Sequence, residues 1–103
     1  MDDTAVIAHA VSPQGRTVEL TERKWAYVQR HVEMRGELEL LLETIRRPDF
    51  QEPDPRSGRE RYWLRMQPPF RFRWLRAVVQ LEGDLDRVVT AFGQDNEPEG
   101  LPR

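Results

Sequence analysis

The sequence predicts an α+β domain in which an N-terminal hairpin precedes two helices, packed on one face of a three- to four-stranded antiparallel sheet. Three observations lead there. The chain has 103 residues, 38% of them apolar, enough for one modest core that buries about two thirds of the unfolded surface. The apolar spacing is helical from Trp25 to Ile45 and strand-like on either side. The helical stretches are grouped and not interleaved with strands, which is the order of an α+β fold.

The elements follow in order. AVIAHAV and RTVEL are strand-like runs separated by SPQG, so residues 4–20 read as a hairpin turning at Pro13 to Gly15. His9 reads as a strand residue with one polar side chain, since nothing is spaced to assist it. Thr21 suits a helix N-cap, with Glu22 at the positive end of the dipole and Leu20 and Trp25 placed as a hydrophobic staple. Trp25, Val28 and Val32 recur at helical spacing, and this helix is expected to run to Met34–Gly36. A second helix, about 37–47, turns Leu38, Leu41, Leu42 and Ile45 inward and carries Glu37, Glu39 and Glu43 outward or near its start, until Pro48 stops it.

DFQEPDPRSGR is a loop with a short strand near Phe50. In RYWLRM, Tyr62, Leu64 and Met66 alternate with Arg61, Trp63 and Arg65. FRFRWLRAVVQL is a long strand pattern whose apolar phase shifts between Trp74 and Leu75, as at a bulge. EGD is a tight turn and LDRVVTAF the last strand. Residues 1–93 read as one domain and 94–103 as a disordered tail.

Composition narrows the chemistry. The chain has no cysteine, which excludes disulfides, cysteine-ligated zinc and thiol catalysis. There is no run of about 20 apolar residues to span a membrane, and MDDTAVIAHA lacks the basic-then-apolar order of a secretory signal. A cytoplasmic protein without a membrane partner is expected. The net charge of −2 conceals an asymmetry: Arg56 to Arg76 holds seven arginines and one acid, so that segment carries +6 and the remainder −8. Tyr62, Trp63, Phe70, Phe72 and Trp74 are interleaved there, and arginine forks beside aromatic faces suit phosphates and unstacked bases. The same pattern also describes an edge hairpin whose arginines are solvated or paired with the acidic helices.

Two histidines 22 residues apart are weak metal ligands, and neither a glycine-rich phosphate loop nor a G-x-S-x-G elbow is present. No metal or cofactor is expected. RNA cleavage needs neither, because the 2′-hydroxyl of the substrate is the nucleophile. It needs a proton-transfer group, for which histidine suits neutral pH, and positive charge for the phosphorane, for which arginine suits. His31, Glu33, the sheet arginines, Tyr62 and Thr90 form such a set. His31 equally suits a helix C-terminus, where the dipole favours its cation.

LTERKWAYVQRHVEM, LLETIRRPDF, RERYWLR, LRAVVQL and RVVTAF, in that order over residues 20–92, resemble the phage-associated branch of the barnase–EndoU–colicin–RelE-like (BECR) nuclease superfamily. Arg30, His31 and Glu33 match its helix-end motif, with Val32 standing where the family has proline. Pro48 and Asp49 match its helix stop, Glu60 and Tyr62 (with Arg61 between them) its strand motif, and Thr90 and Ala91 its last strand. The resemblance implies a barnase/RelE-like fold and a metal-independent endoribonuclease of prophage or toxin type. His31, Glu33, Arg61 and Thr90 would then be catalytic, with Arg65, Tyr62, Trp63 and Arg73 on the substrate. The expected partners are RNA and an acidic inhibitor protein that covers the arginine face. The alternative is a non-catalytic RNA-binding or protein-interaction module that uses the same face.

Overall fold

The computed structural model describes residues 5–102. Its elements are β1 (Val6–Val11), β2 (Thr17–Thr21), α1 (Glu22–Val28), a 3-10 turn (Val32–Met34), α2 (Leu38–Arg46), β3 (Phe50–Pro53), β4 (Arg59–Arg65), β5 (Trp74–Gln80) and β6 (Leu85–Gln94). The class is α+β, but the expected three- to four-stranded antiparallel sheet is not what forms. All six strands join one mixed sheet in the order β1-β2-β6-β5-β4-β3. The join is a parallel pairing of β2 with β6, Thr17 to Glu19 against Leu85 to Arg87. Antiparallel neighbours are announced by a tight turn, whereas a parallel pair is separated by a long crossover and leaves no local mark. Arg16 fastens the junction, donating from Nε and Nη2 to the fully buried Asp86 carboxylate at 2.7 and 2.6 Å and from Nη2 to the Gly83 carbonyl.

The helices cover one face of this sheet. Val18, Leu20, Tyr62, Leu75, Ala77, Val79, Val88 and Ala91 meet Val28, Met34, Leu41, Leu42 and Ile45 in a single core. Thr21 caps α1 as its sequence suggests, its hydroxyl accepting the Lys24 N–H at 3.2 Å. The helix then stops at Val28 and does not reach Met34–Gly36. The cause is which residue must be buried. Val32, one turn on from Val28, is 70% exposed, while Met34 is fully buried, and only a break in the helix sends Met34 inward. His31 therefore sits in extended backbone at the start of the 3-10 turn, not at the C-terminus of α1. Gly36, at φ +74°, reverses the chain into α2, a backbone region that strongly favours glycine.

The bulge also lies elsewhere. β5 starts at Trp74, and both Trp74 and Leu75 are buried because the sheet is covered on both sides there. The register shift falls opposite Val78 and Val79, between Thr90 and Val88 of β6. Of residues 94–103, expected to be a disordered tail, Gln94 ends β6, 103 lies outside the described residues, and 95–102 fold back along the sheet: Pro98 is buried, and the Gly100 N–H donates to Glu52 Oε1 at 3.1 Å.

Candidate functional site

The face away from the helices is built by cross-strand pairing, since residues directly opposite point to the same side. One row runs Phe50, Trp63, Arg76, Phe92, and the next Glu52, Arg61, Val78, Thr90. A third pairs Arg65, Trp74 and Gln94. Arginines and aromatics thus alternate across the strands as well as along them.

His31 closes the first row. Beyond Arg87, β6 has no strand on its β2 side, because β2 has already turned into α1. The Gly93 N–H, left without a strand partner there, needs an acceptor, and Glu33 Oε2 supplies it at 2.9 Å in a part-buried bond. That bond holds the 3-10 turn against the sheet edge and lays the half-buried His31 imidazole beside Phe92, with ring centroids 5.5 Å apart. Glu33 does not contact His31 as an orienting carboxylate; it positions the segment that carries it.

Arg76 also lies against this ring, its guanidinium carbon 5.1 Å from the Phe92 centroid and 5.6 Å from that of Trp63. Burial and the neighbouring Arg61 charge lower its pKa, against the pull of Asp54, Glu52 and Glu99. Its Nε is buried without a hydrogen-bond partner. Asp54 Oδ2 accepts from Arg61 Nε at 2.8 Å and stands 3.7 Å from Arg76 Nη2. Burial alone would raise the Asp54 pKa; the Arg61 hydrogen bond, the Arg56 N–H and the two guanidinium charges outweigh it and hold the carboxyl below its ordinary value. Glu52 adds a looser contact to Arg61 at 3.9 Å and accepts the Trp63 indole N–H at 2.9 Å.

Arg61, Arg76, Thr90, Asp54, Arg56 and Arg59 line one cavity of about 320 Å³ on this face. A second concavity, about 1010 Å³, lies between the folded tail and the β4–β5 connection. Arg65, Arg73 and Trp74 form one wall of it, and Asp95, Glu97 and Glu99 contribute to the other. Arg65 there stands over Trp74 at 5.6 Å.

The residues singled out from sequence therefore separate. Arg61 and Thr90 share a cavity, and His31 borders the same face. Arg65 and Arg73 belong to the other concavity. Trp63 is on the open face but 1% exposed, so it supports Arg76 and offers no surface for a base. Tyr62, also 1% exposed, faces the helices and contacts no substrate on the arginine side. Burial raises its phenol pKa against a hydrogen bond from Ser12. Asp54, Arg76 and Phe92 were not singled out. Glu52 and Asp54 stand just before Arg56, outside the segment whose charge is one-sided. Among the described residues no group of three or more His, Asp or Glu side chains is arranged to hold a metal ion, and no helix is long and apolar enough to cross a membrane.

Comparison with protein-family models, curated proteins and solved structures finds nothing that matches the chain.

Proposed function

We propose that the open sheet face receives RNA and that the protein is a metal-independent ribonuclease of the type its ordered motifs resemble. One observation carries the reading: His31 and Arg76 both lie against the Phe92 ring, and Arg76 lines the cavity that Arg61 and Thr90 also line. A proton-transfer group, two fixed cations and a hydroxyl thus border one surface.

With a phosphodiester in the cavity, the substrate's 2′-oxygen attacks phosphorus as the bond to the 5′-oxygen breaks. The 2′ proton passes to a base, the departing oxygen takes one from an acid, and a 2′,3′-cyclic phosphate is left. Histidine performs either transfer. The guanidinia of Arg61 and Arg76 meet the negative charge that grows on the non-bridging oxygens. The Arg76 guanidinium is already set against the rings of Trp63 and Phe92, so its place does not depend on the arriving anion. An acidic inhibitor would compete for these same two cations.

The test is cleavage of a single-stranded RNA in EDTA by wild type and His31→Ala. Loss of a general acid–base group lowers the rate about 100-fold or more; equal rates would remove His31 from the mechanism. One observation favours a second reading, a module that binds without cutting: Arg61 and Arg76 already share Asp54. RNA binding that weakens steeply with salt, with intact RNA after hours in wild type, would select it.

A further inference from the structure

We propose that the cavity beside Asp54 is a phosphate site that the protein keeps filled with its own carboxylate. This deepens the open-face reading and rests on it for the phosphodiester class; the site's affinity for inorganic phosphate is independent of any cleavage.

A single oxygen, Asp54 Oδ2, lies between two guanidinia, 2.8 Å from Arg61 Nε and 3.7 Å from Arg76 Nη2. Paired arginine forks converging on one oxygen are the geometry that arginines offer a phosphate, and a phosphodiester carries the same single negative charge as the carboxylate it would replace. Arg76 is also incompletely used by its own protein. Its Nε is buried with no partner, an uncommon and costly condition for a polar group, and two aromatic rings, not a full set of acceptors, hold the guanidinium. Arg76, which lines the cavity, therefore has donor capacity that Asp54 does not absorb, and Thr90 lines the cavity as well.

Asp54 is placed to yield. It follows the last residue of β3 and is flanked by Pro53 and Pro55. Its backbone tie outside the ladder is one hydrogen bond, N–H to the Arg59 carbonyl at 2.9 Å. Its other carboxylate oxygen, Oδ1, accepts the Arg56 N–H at 2.8 Å, so displacement frees a backbone donor beside the arriving anion. Asp54 is then a resident competitor, which sets how strongly an anion must bind to enter.

The probe is inorganic phosphate, titrated calorimetrically and by the arginine Nε–H resonances. Asp54→Asn keeps a side-chain oxygen for Arg56 and removes the competing charge, so phosphate should bind about tenfold tighter or more than in wild type. Adding Arg76→Met should abolish that binding. Unchanged or weaker binding in Asp54→Asn, or binding that survives Arg76→Met, overturns the proposal. Should Asp54→Asn fail to fold, wild type decides: phosphate must shift the Arg61 and Arg76 resonances, and Arg76→Met must remove its binding. Phosphate binding of this pattern without RNA cleavage by any variant would discard the ribonuclease and keep the site. Cleavage with a phosphate affinity indifferent to Asp54 would do the reverse.

Discussion

Gly93→Ala offers the most direct check of how β6 carries the site. Gly93 lies between Phe92, which bears His31, and the end of the strand, and it faces the core opposite Leu75. A β-carbon there would stand 2.5, 2.6 and 2.8 Å from three ring atoms of Phe72. Contact between carbons becomes attractive only near 3.5–4.0 Å, so the ring must retreat by about 1 Å. Phe72 packs against the core cluster and is not free to swing into solvent without losing that contact. Overpacking of this kind costs about 1–3 kcal/mol, and removing a strand glycine returns about 0.5–1 kcal/mol of backbone entropy. The net is a loss of about 1–2 kcal/mol, or a fall in Tm of about 5–15 °C for a domain of this size. Thermal unfolding followed by circular dichroism measures it. Phe72→Leu supplies the control: in that background the same alanine should cost less than about 0.5 kcal/mol, since the two residues are in contact and their effects are not additive. A Gly93→Ala protein as stable as wild type, or one equally destabilised with and without Phe72→Leu, would refute the packing argument.

Tyr62→Phe should lower stability by about 1 kcal/mol through the buried hydroxyl and leave RNA affinity untouched, because the ring lies on the helix side; a filter-binding titration checks the second half. Glu60 and Asp54 predict opposite pH trends. Burial raises the Glu60 carboxyl above its ordinary 4.5, helped by the nearby Glu52 charge and opposed by a hydrogen bond from Gln51. Its contribution is therefore present below 4.5 and lost as pH rises through the folded value, so that Glu60→Gln should raise Tm at pH 7 and bring no gain in acid. The Asp54 carboxyl is lowered from 3.8. Its contribution is complete above that pH and lost as pH falls through the folded value, so Asp54→Asn should flatten the acid limb of the stability curve.

Much of the local structure was legible because its causes are local. Thr21 is a cap by virtue of its own hydroxyl, Pro48 stops a helix by its own ring, and the alternation of Tyr62 and Leu64 with Arg61, Trp63 and Arg65 follows from the strand period of two. The misreadings have causes that lie outside the segment concerned. The first helix ends at Val28 because Met34 has a place in the core and Val32 has none. The charge asymmetry of residues 56–76 left open a cationic binding face or arginines paired with the acidic helices; Arg61 and Arg76 instead meet Asp54, a loop residue just outside that window. Arg65 and Arg73 left the candidate site because the tail that closes their concavity returns to the sheet only in three dimensions.

Local pattern alone places the starts of both helices, the six strand segments to within a few residues, and the apolar strand faces. The tertiary structure decided that the hairpin and the meander are one sheet, that Glu33 holds Gly93 across 60 positions of sequence and Arg16 holds Asp86 across 70, and that His31 and Arg76 meet at Phe92. The physical reason is that periodicity and capping are set by neighbours within a turn or two of the chain. A cross-strand partner or a buried counter-ion is chosen by whatever the fold brings opposite, and no residue encodes that alone.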